Sequence, residues 1–364
     1  MWILNRYVTR DFLIVFFMAI GILTFGMMGA RLVAIMELLS RGVPVENFLK
    51  FIVYTLPVVL TYTIPWSILV ATMVVFGRLS ADSEITAMRA CGVSILQIIA
   101  PLLLIVMAMT ALCLYLQVNA GPPLLWEARV LMRNTAVTNP MALFVPGQQI
   151  TYEGAMIYID DKVGANELRG LQMYSFDDEL NLKQDIFAER AVLTADEQAM
   201  KLHAKLYKCI VGSYEGEVKH TIFNDELEFS FDYGAKLNEE QVGVRAKFLP
   251  ADQLLAKMKI ERKRGASKED MCELEVELNQ RIAMALSPIA FLLLGLPLAI
   301  RTSRRETSVG LFLSVILGGV FFLSLIICES ITKFYFIYPQ YLIWLPNLVF
   351  QGLGATLLYR VSRR

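Results

Sequence analysis

The chain has 364 residues, 56% of which are hydrophobic, and its mean hydropathy is +0.51. This composition excludes an ordinary soluble protein, because it is too apolar. The 34 basic residues are balanced by 34 acidic ones. The chain therefore lacks the positive excess typical of nucleic-acid binding, and the sequence predicts no nucleic-acid partner.

The N-terminal apolar run is too long for a cleavable signal, so we expect it to be a retained first span. Long charge-free runs then define six spans in total, because a helix needs about 20 residues to cross a bilayer core. We expect the spans at residues 12–30, 51–77, 93–119, 282–300, 307–328 and 334–359.

The distribution of Lys and Arg predicts the orientation of these spans. One side carries ten basic residues: Arg6, Arg10, Arg78, Arg89, Arg301, Arg304, Arg305, Arg360, Arg363 and Arg364. The short loops of the other side carry four: Arg31, Arg41, Lys50 and Lys333. The first side, with both termini, is therefore predicted to be cytoplasmic. The long insert between spans three and four is predicted to lie outside, in the periplasm of a bacterium with two membranes.

The insert has a period-two pattern. LEFSFDY alternates apolar and polar residues, and AMIYIDD, LRGLQMYSF and KLHAKLYKCIVGSY are rich in aromatic and β-branched residues. Such strands predict an antiparallel sandwich or jellyroll. The pattern becomes helical after Pro250, with a loose helix start at Ser267 and no break before span four.

The predicted fold class is an α-helical integral membrane protein with six transmembrane helices and an inserted periplasmic antiparallel β-jellyroll-like domain. We expect residues 1–126 to hold the first three transmembrane helices, 127–250 the β domain, 251–281 a helical connector and 282–364 the last three transmembrane helices.

Several kinds of chemistry have no sequence signal. The chain has no GxxxxGK motif followed by Ser or Thr, no HExxH and no GxSxG. No charged residue interrupts the middle of a span, which disfavours ion-coupled transport and an intramembrane enzyme. His203 and His220 lack metal-ligand spacing, so no metal site is predicted. The cysteines (Cys91, Cys113, Cys209, Cys272 and Cys328) form no CxxC, and we interpret them as free thiols, with a Cys209–Cys272 disulfide as the alternative.

A small helix is predicted between spans two and three, at residues 80–92. Ser80 or Asp82 is a candidate N-cap, and Gly92 is a candidate stop. Helical spacing places Ala81, Ile85 and Met88 on one face. One interpretation is a cap lying on the membrane surface. The other is a coupling helix that docks in a groove of a cytoplasmic ATPase and offers the Glu84 carboxylate to a basic residue. The predicted coupling residues are Ser80, Asp82, Glu84, Ile85, Met88, Arg89 and Gly92.

Three segments resemble one known family. They are FGRLSADSEITAMRACGVS, then NAGPPLLWEARVLM with NPMALFVPGQ, and LNQRIAMALSPIAFLLLGLPLAIRTSRRE. In order and spacing they are similar to the lipopolysaccharide-export permeases of the LptF/LptG type, also called the YjgP/YjgQ family. The strand domain is similar mainly in pattern.

The resemblance implies a permease subunit of an ATP-driven export complex, not an enzyme. Implied partners are a second permease of this type, a dimeric cytoplasmic ABC ATPase, a single-span periplasmic partner and the lipopolysaccharide itself. ATP and magnesium would be bound by the ATPase, so no cofactor is expected in this chain. The lipid would leave the inner membrane and pass to a periplasmic bridge of similar jellyrolls.

The resemblance also implies candidate substrate contacts. Spans one and five would form a lateral opening, which Gly26, Gly29, Ala30, Gly318 and Gly319 leave room to pack. Predicted contacts with the lipid are Arg31, Phe25, Met28, Leu32, Phe321 and Leu325. Arg31 would meet head-group phosphates, with a snorkelling interfacial Arg as the alternative. Arg41, Lys50 and Lys333 are weaker candidates, and the loop 301–306 is read as a topology signal or an ATPase contact.

The β domain could provide an apolar path for acyl chains. The predicted lining residues are Phe144, Tyr158, Phe187, Phe229 and Phe231, and the alternative is that they form an ordinary β core. Two other functions stay open: a membrane scaffold that binds periplasmic proteins, and a permease for another lipid. A scaffold would not need the organised helix at 80–92, whereas the sequence of the β domain does not distinguish between lipids.

Overall fold

The computed structural model describes residues 2–39, 45–138, 147, 149–152, 155–163, 166–176, 182–196, 201–215, 218–232, 246–265, 267–302, 307–331 and 338–363. The chain forms two compact units. One contains Met1–Ala34, Lys50–Ala128 and Arg245–Arg364, and the other contains Ile35–Leu49 and Arg129–Val244. At the ends of several elements, including 30–39, only the backbone is described.

Six helical segments are long and apolar enough to cross a membrane, which confirms the predicted number of spans. A π-helical turn, Leu116–Ala120, joins α4 to α5, and a 3-10 turn, Ala246–Phe248, precedes α6. The helices are α1 Trp2–Leu39, α2 Val45–Ala81, α3 Glu84–Ala90, α4 Ile95–Tyr115, α5 Gly121–Thr138, α6 Ala251–Arg264, α7 Lys268–Thr302, α8 Thr307–Ser330, α9 Pro339–Leu342 and α10 Leu345–Arg363.

Helices α2 and α7 form the centre of the helical unit. In their most apolar windows 67% and 72% of the residues are buried, against 22% in α1 and 28% in α8. Both central helices contain two prolines, which a buried helix tolerates because neighbouring groups satisfy the backbone. Helices α1 and α8 therefore expose most of their apolar surface.

The helix start predicted at Ser267 is confirmed. The Glu269 backbone N–H donates to Ser267 Oγ (3.3 Å), and α7 then runs unbroken to Thr302. Within α7, Arg281 is buried and donates to Glu277 Oε1 (2.8 Å) and to the Leu249 carbonyl (2.7 Å). The polar first half of α7 is thus fastened to the turn before α6.

The strands form one antiparallel sheet in the order β1-β2-β3-β4-β5-β6. An inserted antiparallel β domain is therefore confirmed, and its described strands follow one another as hairpins, like a meander. The strands are β1 Ile150–Tyr152, β2 Ala155–Val163, β3 Glu167–Phe176, β4 Leu182–Asp196, β5 Lys201–Glu215 and β6 Val218–Asp232.

One row of residues crosses the sheet and interrupts the regular alternation of side chains between its two faces. At this row the pairing register passes over one residue in each strand from β2 to β6, and these are Asp160, Gly170, Glu189, Lys208 and Asp225. We call them the crease row. Gly170 and Lys208 have positive φ angles of 63° and 50°. The crease row therefore marks a line of irregular backbone across five strands.

At the crease row the alternation of buried and exposed residues along the strands is interrupted. Ala188 and Ala191 are both buried, with two exposed residues between them, and Leu206 and Cys209 repeat this spacing in β5. All four belong to the same hydrophobic core. Residues on both sides of the crease row thus share one core, as expected where irregular residues bend a sheet.

Candidate functional site

The small helix α3 begins later than predicted. Helix α2 continues through Ala81, and α3 spans Glu84–Ala90 after Ser83, which has a left-handed backbone (φ 58°). The predicted caps at Ser80 and Asp82 are therefore wrong. Ser80 Oγ instead donates to the carbonyl of Ile300 (2.9 Å), which joins the ends of α2 and α7. Asp82 is exposed in the turn between the helices.

The end of α3 follows the prediction. Gly92 has a φ of 82°, which lets the chain leave the helix, and its N–H donates to the carbonyl of Arg89 (2.9 Å). Ile85 is buried in the core of the helical unit, and Met88 packs against the same core. Thr86, Ala87 and Ala90 are exposed. Helix α3 is thus held by one apolar face and presents a face of small residues.

Glu84 lies beside the N-terminal end of α1 and the C-terminal end of α2. Tyr7 on α1 donates from its hydroxyl to Glu84 Oε1 (3.4 Å). Arg78 on α2 donates to the Tyr7 hydroxyl (3.5 Å) and forms an ion pair with Asp11 on α1. We call Tyr7, Asp11, Arg78 and Glu84 the Tyr7 cluster. No sequence motif pointed to Tyr7 or Asp11, because their link to Glu84 spans 77 and 73 positions.

A second candidate site is an open apolar groove between α1 and α2, with a volume of about 460 Å³. The groove contains two of the predicted substrate contacts, Phe25 and Met28. The sequence prediction missed its other members, Phe17, Ile20, Gly21, Thr24, Ile52 and Leu60. The spacing of three or four residues along α1 is a signal for one wall, but nothing in the sequence pairs it with α2.

The predicted wall residues of span five lie elsewhere. Phe321 and Leu325 are buried in the helical core, where Phe321 packs on Phe291 and Phe350 with ring centroids 4.8 and 5.2 Å away. As wall residues of an open surface they are therefore wrong. The exposed apolar residues of α8 are Val309, Leu311, Phe312, Val315, Ile316, Val320, Leu323, Ile326 and Ile327.

The glycines of the two predicted opening helices differ in their surroundings. A Cβ at Gly318 would be 2.7 Å from Trp66 Nε1, so α8 needs this glycine to pack on α2. At Gly26, Gly29 and Gly319 a Cβ would meet nothing within 4 Å. Only Gly318 among these residues supports close packing within the chain.

The predicted β-domain lining residues fall on different faces. Phe229 packs against the sheet core. Tyr158 and Phe187 lie in one register row through Gln172, on the face opposite the buried residues, and Phe187 is exposed. For Tyr158 and Phe187 an interior lining is therefore wrong. Phe144 and the side chain of Phe231 lie outside the described residues.

Several basic candidates are also outside the described part of the chain. They are Arg41, Lys333 and residues 303–306, together with the side chains of Arg31, Leu32 and Ala30. His203 and His220 are exposed, and all five cysteines are free thiols. Among the described residues, no group of three His, Cys, Asp or Glu side chains is placed to hold a metal ion.

These features define a class: a multi-pass helical membrane protein with an inserted antiparallel β domain. The model of the family "Lipopolysaccharide export system permease LptF/LptG" matches residues 6–360. The chain belongs to this family. It is thus a lipopolysaccharide export permease, a transport component that works with other Lpt subunits, and a multi-pass inner-membrane protein. No curated protein matches the chain.

Proposed function

We propose that this chain is a permease subunit of an ATP-driven complex that extracts lipopolysaccharide from the inner membrane and passes it to a periplasmic β-jellyroll bridge. The observation that carries the proposal is α3. Ile85 and Met88 fix this helix to the membrane unit, while Thr86, Ala87 and Ala90 face outward. A chain without a nucleotide motif that carries such a helix is suited to receive motion from a separate ATPase.

Glu84 would provide the charged contact with that ATPase. A dimeric cytoplasmic ABC ATPase would bind ATP and magnesium and dock on α3 of this chain and of a second permease. The excess of Lys and Arg beside α3 and at both termini supports a cytoplasmic location for that side and a periplasmic location for the β domain. A single-span periplasmic protein would link the β domain to the bridge.

The apolar surfaces suit a lipid substrate. Exposing acyl chains to water costs roughly 0.8 kcal/mol per CH₂, so several chains need a continuous apolar path. The α1–α2 groove offers one apolar segment, with the Phe25 ring 77% exposed beside it. Phe229 in the β core is the candidate contact further along the path. Arg31 would bind the head-group phosphates through its forked guanidinium.

The test is affinity purification of the full chain in mild detergent, with mass spectrometry of the bound proteins and lipids. We expect an ABC ATPase, a second permease and lipopolysaccharide. The variant Ala87→Arg places a charged, bulky side chain on the exposed face of α3 and should abolish ATPase recovery. Ser362→Arg, which adds the same charge at the end of α10, is the matched control.

Each result decides between the functions. Recovery of the ATPase with a different lipid would keep the mechanism and change the substrate. Recovery of periplasmic proteins alone would overturn the proposal in favour of a scaffold. Equal ATPase recovery with Ala87→Arg would contradict docking on α3.

Photo-crosslinking of the lipid head group near span one should fall with Arg31→Glu, and unchanged crosslinking would return Arg31 to a snorkelling role.

A further inference from the structure

The Tyr7 cluster joins three helices through one phenol hydroxyl. Tyr7 on α1 donates to Glu84 on α3 (3.4 Å) and accepts from Arg78 on α2 (3.5 Å). Tyr7 is 40% exposed, and its hydroxyl is the atom that contacts both neighbouring helices. Its neighbours Val8 and Phe12 are fully buried and hold this turn of α1 in the core.

The charges in this cluster are not balanced. Arg78 pairs with Asp11, and these two charges cancel. In the part of the chain that the structure describes, Glu84 has no Lys, Arg or His nitrogen within 4.0 Å, and its side-chain partner is the neutral hydroxyl of Tyr7. Within the described residues the Glu84 carboxylate therefore forms no ion pair, and it can bind a cation of a partner.

We infer that Tyr7 is a positioning residue for Glu84, and that it links α1 mechanically to the ATPase-docking helix. The inference rests on the proposed function, because it needs a partner that binds Glu84. The hydrogen bond restricts the Glu84 side chain before the partner arrives, so less conformational entropy is lost on docking. The Arg78–Asp11 pair beside it fixes α1 against α2.

The same helix that carries Tyr7 also carries the groove. Phe17, Phe25 and Met28 lie on α1, ten to twenty-one positions after Tyr7. Only 22% of the apolar window of α1 is buried, so outside the turn held by Val8, Phe12 and Asp11 few contacts within the chain oppose its displacement. A displacement of α3 by the partner is therefore passed through Glu84 and Tyr7 to the helix that lines the groove.

The test is a double-mutant cycle on the full chain, co-purified with its second permease and reconstituted in lipid nanodiscs, with the dissociation constant of the purified ATPase as the readout. Tyr7→Phe removes only the hydroxyl and should weaken binding by roughly two- to tenfold, as for the loss of one hydrogen bond. In the Glu84→Gln background the same change should have little further effect, because both variants break one interaction. Tyr115→Phe, which removes another exposed hydroxyl, is the control.

A second readout follows the groove. An environment-sensitive probe on Gly21→Cys, in a Cys91→Ser background, should change its emission when the ATPase binds. Tyr7→Phe should reduce that change at saturating ATPase. A merely structural role of Tyr7 would lower thermal stability, make the effects of the two substitutions additive and leave the probe response intact.

The outcomes separate the two proposals. If the unsubstituted chain does not bind the ATPase, the proposed function fails. If Glu84→Gln weakens binding but Tyr7→Phe does not, only the positioning role is overturned. Additive effects of the two substitutions would also overturn it. An unchanged probe response in Tyr7→Phe would overturn the mechanical link to the groove.

Discussion

Gly354 on α10 lies directly against the backbone of Leu293 on α7. A Cβ at position 354 would be 2.6 Å from the Leu293 carbonyl carbon and 2.7 Å from the Leu294 nitrogen. Both are main-chain atoms of a central helix and cannot move aside alone. The close approach of α10 and α7 therefore depends on this glycine.

We expect Gly354→Ala to lower the free energy of unfolding by about 1–3 kcal/mol, because α10 must move away from α7. Gly352→Ala is the matched control, since a Cβ there meets nothing within 4 Å. The measurement is thermal unfolding in detergent, followed by tryptophan fluorescence. Equal melting temperatures for the two variants would show that the helices separate without cost.

Arg281 provides a second test of the helical unit. Its guanidinium is 4% exposed and donates to Glu277 and to the carbonyls of Leu249 and Ala246. Arg281→Met leaves a partly buried carboxylate and two carbonyls without this donor. We expect a loss of roughly 3–5 kcal/mol, as for one partner removed from a buried ion pair.

The control for Arg281 is Arg262→Met. The Arg262 side chain is 74% exposed, and its contact with Glu275 is 3.5 Å long. Its removal should cost less than about 1 kcal/mol. Guanidinium unfolding of the full chain measures both. Similar losses for the two variants would mean that Arg281 does not fasten the turn at 246–248 to α7.

The sequence predicted six spans because a charge-free run reflects a single property, the free-energy cost of placing a charge in a bilayer core. It did not predict how far the helix of span two extends. Helix α2 continues through Ala81, beyond the predicted end at 77, because a helix continues in water when caps and tertiary contacts satisfy its backbone. The cap at Ser80 failed because α2 continues through Ala81, so Ser80 lies inside that helix and its hydroxyl donates to the Ile300 carbonyl, 220 positions away.

In the candidate sites, too, the sequence predicted local spacing but not contacts between residues far apart in the chain. Ile85 and Met88 could be placed inward from helical spacing alone. The Tyr7–Glu84 bond and the α2 wall of the groove depend on which helices become neighbours, and a charge-free run carries no such information. Phe321 was misassigned because a buried and a lipid-facing phenylalanine look alike in an apolar sequence. Tyr158 and Phe187 were misassigned because alternation defines two faces without saying which is inside.

Gly170 tests the crease row. Its φ is 63°, and a Cβ there would overlap the carboxylate of Asp160, with Cγ 2.5 Å away. Gly170→Ala should therefore destabilise the β domain by roughly 1–3 kcal/mol through backbone strain and overlap together. Hydrogen exchange of the β-strand peptides in the full chain is the measurement.

Two further variants separate the causes at Gly170. Gly147→Ala has the same strained backbone (φ 75°) but open space around its Cβ. Asp160→Ala combined with Gly170→Ala removes the overlap and leaves the strain. We expect the double variant to recover part of the lost protection. If Gly147→Ala is as damaging as Gly170→Ala, strain alone explains the effect and the Asp160 contact contributes nothing.

Cys209, next to the crease row, gives a prediction of pH dependence. Burial raises the pKa of its thiol above the ordinary value of 9.0, and the charge of Asp225 adds to the shift. The folded protein therefore keeps this proton when the unfolded chain has lost it. By linkage, the thiol's contribution to stability is complete below about pH 9 and is lost as the pH rises through the raised pKa.

Alkylation followed by peptide mass spectrometry measures this shift. At pH 8 the exposed Cys91 should react with iodoacetamide while Cys209 stays unmodified, because its thiolate is scarce and its sulfur is buried. Asp225→Asn removes one raising charge and should shift the onset of Cys209 labelling to lower pH. Equal labelling of Cys209 and Cys91 at pH 8 in the folded protein would contradict a buried thiol. An onset unaffected by Asp225→Asn would assign the whole shift to desolvation.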